Sequence, residues 1–152
     1  MRIVVALGGN ALGFNPQEQK EKVAHAVIPI ADLISENHQV ILAHGNGQQV
    51  GMINLAFGLV SGNVANFPAM PFPECGAMSQ GYIGYHLQNA LQTELRVRGI
   101  DRGVATIITQ VVVDEQDDAF QNPTKPIGAF YTKDVAETIT KKTGYIMKED
   151  AH

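Results

Sequence analysis

The chain has no tryptophan, and its 152 residues include a single cysteine, Cys75. One cysteine cannot form an internal disulfide, and it offers no pair of thiols with the spacing of a structural zinc site. No apolar run approaches the about 18 residues that a transmembrane helix requires. The apolar run that follows Met1 and Arg2 is too short for a signal peptide. These absences predict a cytoplasmic protein that does not contact a membrane.

Positive charge is also scarce. The 11 Lys and Arg residues are outnumbered by 15 Asp and Glu residues, which gives a net charge of −4 with histidine neutral. Such a chain has no basic field with which to hold a nucleic-acid backbone, so we expect no nucleic-acid partner. The 45% hydrophobic and 17% charged fractions are those of a globular protein. A compact domain of this size buries about 68–70% of its unfolded surface, so a single domain with a real core is predicted.

Two apolar runs lead directly into glycine. The first spans Ile3 to Leu7 and the second spans Val40 to Ala43. Glycine lets the chain turn tightly and lets backbone N–H groups approach an anion that a Cβ atom would obstruct. We therefore predict that the two loops bind one polar ligand, although a simple turn is the alternative explanation of each glycine pair. The loop residues are Gly8, Gly9 and Asn10 in the first, and His44, Gly45, Asn46 and Gly47 in the second.

A helix is predicted between the two runs, because apolar residues recur there every three or four positions. They are Val23, Val27, Ile30 and Ile34. Pro29 predicts a kink or the start of a second helix within this stretch. A strand, a helix and a second strand form a βαβ unit, whose right-handed crossover brings both strand ends to the same edge of a parallel sheet. Ligands of open α/β folds bind at that edge.

Further elements are predicted downstream from the same patterns. We predict helices from Gln48 to about Val60, from about Ala77 to Arg98 and from Asp134 to Lys142. Gly99 and Gly144 are the predicted stops of the last two. A third, central strand is predicted from Val104 to Val113, and another strand begins at Tyr145 to Met147. The proline-rich segment between Gly62 and Pro73 is predicted to be an ordered surface loop. Residues 114–131 are predicted to leave the sheet.

Lys125 is the strongest single candidate for a functional side chain. Most lysines in surface loops are simply solvated, but Lys125 lies between Pro123 and Pro126. Proline fixes φ and restricts the residue before it, so this segment holds one cation on a stiff backbone. Stiffness reduces the entropy that is lost on binding.

Other functional hypotheses have less support. His44 is either an acid or base, or a packed histidine that holds the loop. The acidic run of Asp114, Glu115, Asp117 and Asp118 indicates a hydrated turn, and we predict no metal site. Neither glycine loop continues into the Gly-Lys-Ser/Thr of a phosphate-binding P-loop. A dinucleotide site is disfavoured, because the third glycine, Gly51, is misplaced and no acidic residue follows before Pro73.

Five segments together resemble the carbamate kinase family, which has the amino acid kinase fold. They are VALGGNAL at Val5 to Leu12, HGNGQQVG at His44 to Gly51, MSQGYIGY at Met78 to Tyr85, NPTKPIG at Asn122 to Gly128 and KEDA at Lys148 to Ala151. The resemblance implies a three-layer αβα sandwich with a mainly parallel sheet and a protruding hairpin subdomain at about residues 114–150. It also implies a homodimer that transfers phosphate reversibly between ATP and carbamate in arginine metabolism, with ATP or ADP and Mg²⁺ as cofactors.

The resemblance also implies roles for individual residues. The residues Gly8, Gly9 and Asn10 would contact the transferred phosphoryl group. The second loop, His44 to Gly47, would hold the carbamate or the carbamoyl end of carbamoyl phosphate. Lys125 would close over the phosphate, and Lys125, Gly8 and Asn10 would form the catalytic set.

Two departures from the family pattern leave two hypotheses open. The family commonly has proline at the position of Gln48, and it continues beyond His152 with a part that carries the nucleotide site. In the first hypothesis, the chain is the acceptor-binding part of a carbamate kinase-like phosphotransferase and is inactive alone. In the second, it is a noncatalytic piece that binds a small anion or dimerises through exposed helices and a sheet edge.

Overall fold

A computed structural model describes residues 1–13, 15–127 and 130–149, and for Asn10 it describes the backbone only. The predictions that involve Gly128, Ala151 and His152 therefore lie outside the described residues. The helices and strands are β1 (Arg2–Leu7), α1 (Pro16–Ser35), β2 (Gln39–His44), α2 (Gly47–Ser61), α3 (Phe72–Val97) and α4 (Lys133–Thr143), with short 3-10 turns at Gly9–Ala11 and Asp118–Phe120. No described helix is both long and apolar enough to cross a membrane.

The chain divides into two compact units. The first contains Met1–Asn46 and Ala77–Thr109, and the second contains Gly47–Gly76 and the residues from Gln110 onward. Helix α3 crosses the boundary, because its first turn belongs to the second unit and the rest belongs to the first. Each unit is described by itself below.

The predicted βαβ unit is confirmed in the first unit. Strands β1 and β2 pair in parallel, with Leu7 opposite His44 at their carboxyl ends. Asn15 starts the connecting helix α1, because its side-chain oxygen accepts the N–H of Glu18 at 2.9 Å, and Pro16 occupies the first turn. Both features satisfy or remove amide donors that would otherwise lack partners at a helix start. The α/β class with a parallel sheet is therefore confirmed.

Helix α1 continues through Pro29 as one helix. The expected start of a second helix at this proline is therefore wrong. Proline deprives the carbonyl four residues earlier, that of His25, of its amide partner. Both Pro29 and His25 are exposed, so that carbonyl is accessible to water and the helix is not forced to end.

The core of the first unit lies between α1, α3 and one face of the sheet. Leu7, Val40 and Leu42 of the strands pack against this core, and the opposite sheet face carries Val4 and Ile41, which are 67% and 59% exposed. Burial of the apolar stripes of α1 and α3 supplies the main driving force for this packing. The buried core residues are Leu12, Val23, Val27, Ile30, Ala31, Ile83, Leu87, Leu91 and Leu95.

His86 belongs to this core rather than to the glycine loops. Its side chain is buried and contacts the rings of Tyr82 and Tyr85 edge-on. Burial and the nearby charge of Lys20 lower the pKa of His86, so the imidazole is neutral at pH 7. This agrees with the structural role that its position within a long helix suggests.

The predicted central strand from Val104 to Val113 is wrong. The segment has no paired neighbour among the described residues, and glutamine side chains of α3 bind its backbone instead. Gln92 accepts the N–H of Val104 at 3.1 Å, and Gln80 accepts the N–H of Thr109 at 2.8 Å. Abundant β-branched residues favour an extended backbone, but they do not determine which groups satisfy its hydrogen bonds.

Gly84 of α3 is where this segment approaches the helix most closely. Thr106 donates its hydroxyl to the Gly84 carbonyl at 3.0 Å, and a Cβ atom on Gly84 would overlap the Thr106 side chain. Rotating Thr106 would not fully relieve the overlap, because its Cβ atom, which rotation about χ1 does not move, would still lie 3.2 Å away. A Cβ atom on Gly81, one turn earlier, would meet its nearest neighbour, Ile108, at 4.0 Å.

We therefore expect opposite effects of alanine at these two glycines of one helix. Gly84→Ala should lower the free energy of unfolding by about 1–3 kcal/mol through overpacking. Gly81→Ala should raise it by up to about 1 kcal/mol through helix propensity. Urea unfolding followed by circular dichroism measures both, and equal stability of the two variants would contradict the close approach at Gly84.

In the second unit, helix α2 contacts helix α4. Tyr145 follows α4, and its hydroxyl lies 2.9 Å from where a Cβ atom on Gly58 of α2 would be. Helix α4 ends as predicted at Gly144, whose φ of 75° is left-handed and whose N–H donates to the carbonyl of Thr140. The predicted strand at Tyr145 to Met147 is wrong, because Tyr145 packs toward α2 and this segment pairs with no strand in the part of the chain that the structure describes. Among its described residues, the stretch predicted as a protruding hairpin contains a 3-10 turn and α4 and no strands.

The proline-rich loop is shorter than predicted, and aspartate side chains form local turns in the acidic run. The proline-rich loop ends early, because α3 begins at Phe72 rather than near Ala77 and Pro73 fits its first turn without losing a hydrogen bond. In the acidic run, Asp114 accepts the N–H of Gln116 and Asp117 accepts the N–H of Ala119. These carboxylates therefore serve local turns, and the described residues include no group of three or more candidate metal ligands.

Candidate functional site

The two glycine loops of the first unit contact each other. Gly45 donates its N–H to the carbonyl of Leu7 at 3.1 Å, and a Cβ atom on Gly45 would lie 3.9 Å from the nitrogen of Gly9. This proximity follows from the parallel register, which places the ends of β1 and β2 side by side. We call residues 8–9 and 45–46 the glycine edge.

The backbone at the glycine edge does not require glycine. Gly8 has φ −70° and ψ 162°, an extended conformation that any residue adopts. Within the described part of the chain, glycines with positive φ are Gly13, Gly99 and Gly144. Glycine is therefore not needed for a left-handed residue in either loop, although Gly8 and Gly9 begin a 3-10 turn in which Ala11 donates its N–H to the carbonyl of Gly8 at 3.0 Å.

Packing does not require glycine there either. A Cβ atom on Gly8 or Gly9 would meet nothing within 4 Å, and both residues are exposed. None of the described residues accepts a hydrogen bond from the amides of Gly8, Gly9 or Asn46. The glycine edge thus presents unpaired N–H donors on a surface that side chains leave open.

Asn46 joins the glycine edge to the buried part of α3. Its Nδ2 donates to the hydroxyl oxygen of Ser79 at 2.9 Å, and Ser79 is completely buried. Sequence reasoning found no role for Ser79 or for its neighbour Gln80, which binds the backbone of Thr109. No local signal could have found the Asn46 contact, because its two residues are 33 positions apart in the chain.

His44 uses one ring nitrogen to hold its own loop. Its Nδ1 lies 3.0 Å from the carbonyl oxygen of Gly45. A carbonyl only accepts hydrogen bonds, so Nδ1 carries the proton in this contact and Nε2 of the neutral ring is an acceptor. This geometry favours the loop-holding alternative for His44.

Lys125 lies in the second unit, together with Gly47 at the start of α2. Its side chain is exposed, and it pairs with no residue in the described ranges. The ammonium group of Lys148 donates a hydrogen bond to the carbonyl of Pro123 at 3.1 Å. The first residue of the KEDA segment therefore contacts the stiff loop that carries Lys125. The proposed phosphate contact of Lys125 stays a prediction, as do the ligand contacts of Gly47 and of the Asn10 side chain.

Comparison with known proteins identifies the family. The sequence model of the amino acid kinase family matches residues 1–139. The chain belongs to the amino acid kinase family. The predicted resemblance to the carbamate kinases is confirmed, since the chain is 54% identical over 150 residues to the carbamate kinase of Staphylococcus epidermidis strain ATCC 35984. That alignment covers 99% of this chain and 48% of the relative.

Solved structures show the same relation. A carbamate kinase from Giardia lamblia bound to citric acid matches with a TM-score of 0.89 and 37% identity, over 98% of this chain and 49% of that one. The same enzyme bound to AMP-PNP matches with a TM-score of 0.79 and 37% identity, over 99% of this chain and 48% of that one. The chain therefore has the amino acid kinase fold and spans about half the length of the carbamate kinases it matches.

Proposed function

We propose that the chain is the acceptor-binding part of a carbamate kinase-like phosphotransferase. The proposed enzyme transfers a phosphoryl group reversibly between ATP and carbamate, and it forms ATP when supplied with carbamoyl phosphate and ADP. Gly8, Gly9 and Asn10 bind the phosphoryl group, and the second loop binds the carbamoyl end.

One observation carries this proposal: the glycine edge has glycines that neither its backbone nor its packing requires. Replacing a glycine by alanine where the backbone allows it stabilises a protein by about 0.4–1 kcal/mol, so retaining glycine has a cost in stability. Close approach of a ligand to the backbone explains that cost. The N–H groups of Gly8, Gly9 and Asn46, which have no acceptor among the described residues, are donors suited to an anion.

This chemistry suits phosphoryl transfer. The reaction needs little covalent participation by the protein, and its catalysis depends on positioning and on stabilising the charge of the transferred group. Backbone donors orient that group at the glycine edge. Lys125 supplies a positive charge on a backbone segment that two prolines stiffen.

Further parts of the proposal come from the relatives. Their identity as carbamate kinases, and the AMP-PNP bound to the Giardia enzyme, support the use of ATP or ADP, which we propose to act with Mg²⁺. Mg²⁺ would bridge and neutralise the nucleotide phosphates. We further propose a homodimer in the cytoplasm, acting in arginine metabolism and with no nucleic-acid partner.

Calorimetry and an activity assay test the proposal together. Carbamoyl phosphate titrated into the chain should bind with one site per chain, and ADP-dependent ATP formation is measured in parallel. Binding together with turnover would show that this part of the enzyme is sufficient for catalysis. Binding without turnover shows an acceptor site that needs further protein for catalysis. Absence of any binding would contradict the proposed acceptor site.

A further inference from the structure

Ser79 is a buried hydroxyl directly behind the glycine edge. It lies on α3, is 0% exposed, and accepts a hydrogen bond from Nδ2 of Asn46 at 2.9 Å. Asn46 itself is half-buried and follows Gly45 in the second loop. The contact therefore links a fixed position in the core to an amide at the surface where the proposed ligand binds.

The contact shows which edge of the Asn46 amide faces α3. A side-chain amide is planar, with two N–H donors on its nitrogen and an acceptor oxygen on the other edge. The torsion that turns the amide is broad and roughly two-fold, so an isolated asparagine readily exchanges the two edges. With Nδ2 directed at Ser79, the oxygen Oδ1 is directed away from it. In the structure, Ser79 therefore accepts from Nδ2, and Oδ1 of Asn46 lies on the edge of the amide that does not contact Ser79.

We propose that Ser79 is a positioning residue for substrate choice: it keeps Oδ1 of Asn46 turned to accept a hydrogen bond from the amino group of a carbamoyl ligand. This inference rests on the proposed function. It goes beyond that function by explaining how a carbamoyl group is distinguished from an acetyl group of similar size. Ser79 acts through Asn46 and does not touch the ligand.

Hydrogen-bond chemistry gives this arrangement its selectivity. A carbamoyl group ends in an N–H donor, whereas an acetyl group ends in a methyl group. A site that pairs with a ligand N–H rejects an analogue without it, because the analogue leaves the protein acceptor unpaired. If the amide were reversed, its own N–H groups would face the ligand N–H and the preference would vanish.

Calorimetry with three ligands tests the inference: carbamoyl phosphate, acetyl phosphate and inorganic phosphate. Ser79→Ala should weaken carbamoyl phosphate binding about tenfold, equivalent to about 1.4 kcal/mol, and leave the other two within about twofold. Ser79→Cys, with a weaker acceptor in a similar volume, should lie between alanine and the native protein. Ser35→Ala is the matched control, because it removes a hydroxyl bonded to the Asp32 carbonyl at the end of α1.

A double-mutant cycle separates positioning from general damage to the fold. Asn46→Ala changes a loop residue and should remove the carbamoyl preference by itself, so adding Ser79→Ala to it should cause no further loss of selectivity. Additive losses, or equal weakening of all three ligands by Ser79→Ala, would overturn the inference while leaving the acceptor site intact. If the native chain binds none of the three, the proposed function fails, and the inference fails with it.

Discussion

Gly8→Ala should weaken the binding of carbamoyl phosphate by about tenfold or more, equivalent to about 1.4 kcal/mol, because the ligand can no longer approach the backbone as closely. Gly8 has an extended backbone, and a Cβ atom there meets no protein atom within 4 Å. The added methyl group therefore fits the protein and occupies space that we assign to the phosphoryl group. Calorimetry measures the loss directly.

The same variant should not be destabilised. Because alanine reduces the freedom of the unfolded chain, the free energy of unfolding should stay the same or rise by about 0.4–1 kcal/mol. Gly99→Ala is the matched control: Gly99 has a φ of +70° and open space around it. Alanine in that left-handed conformation should cost about 1–2 kcal/mol of stability while leaving ligand affinity unchanged. Normal ligand affinity in the Gly8 variant would refute the assignment of Gly8.

Lys125→Ala should lower turnover by about 100-fold, the loss typical of removing one preorganised charge-stabilising contact. The proposed role of the lysine is to offset negative charge on the phosphoryl group as it is transferred. The rate to measure is ATP formation from carbamoyl phosphate and ADP by an enzyme that carries this part of the family fold. An unchanged rate would reject a catalytic role for Lys125.

Lys133→Ala is the control for that experiment. Lys133 is also an exposed lysine of the second unit, but it begins α4 rather than lying between prolines. Both variants remove one surface charge, so both should keep the native free energy of unfolding within about 0.5 kcal/mol. A rate loss confined to Lys125→Ala would separate a specific contact from the general effect of charge.

Local patterns predicted much of the fold. The spacing of Val23, Val27 and Ile30 corresponds to α1, and Gly144 ends α4 in the left-handed conformation expected of a glycine stop. The parallel pairing of β1 and β2 followed from chain order and crossover handedness. These features are encoded within a few residues or by general topological rules.

Other features depend on contacts between distant parts of the chain, and sequence patterns did not reveal them. The β-branched run from Val104 to Val113 indicates an extended backbone, yet its hydrogen-bond partners include Gln80 and Gln92 of a helix. Tyr145 packs toward α2 instead of starting a strand. In both cases, tertiary partners outweigh local propensity.

The location of the candidate site could be predicted from chain order, whereas its contacts between distant residues could not. Chain order places the loops after β1 and β2 at one edge, and the structure brings Gly9 and Gly45 close together there. The sequence offered two reasons for glycine there, a tight turn and the close approach of an anion, and the φ values and neighbouring atoms needed to weigh them are known only from the folded chain. The support of Asn46 by Ser79 likewise appears only when α3 packs behind the loop.

Nuclear magnetic resonance gives the most direct test of the central claim, that the two glycine loops bind one anion together. Carbamoyl phosphate is titrated into the ¹⁵N-labelled chain while the backbone amide signals of Gly8, Gly9 and Asn46 are followed. We predict that all three signals shift with a single dissociation constant and that excess inorganic phosphate displaces the ligand, which moves the signals to the positions they have with phosphate alone. Signals of only one loop moving, or of neither, would contradict the account.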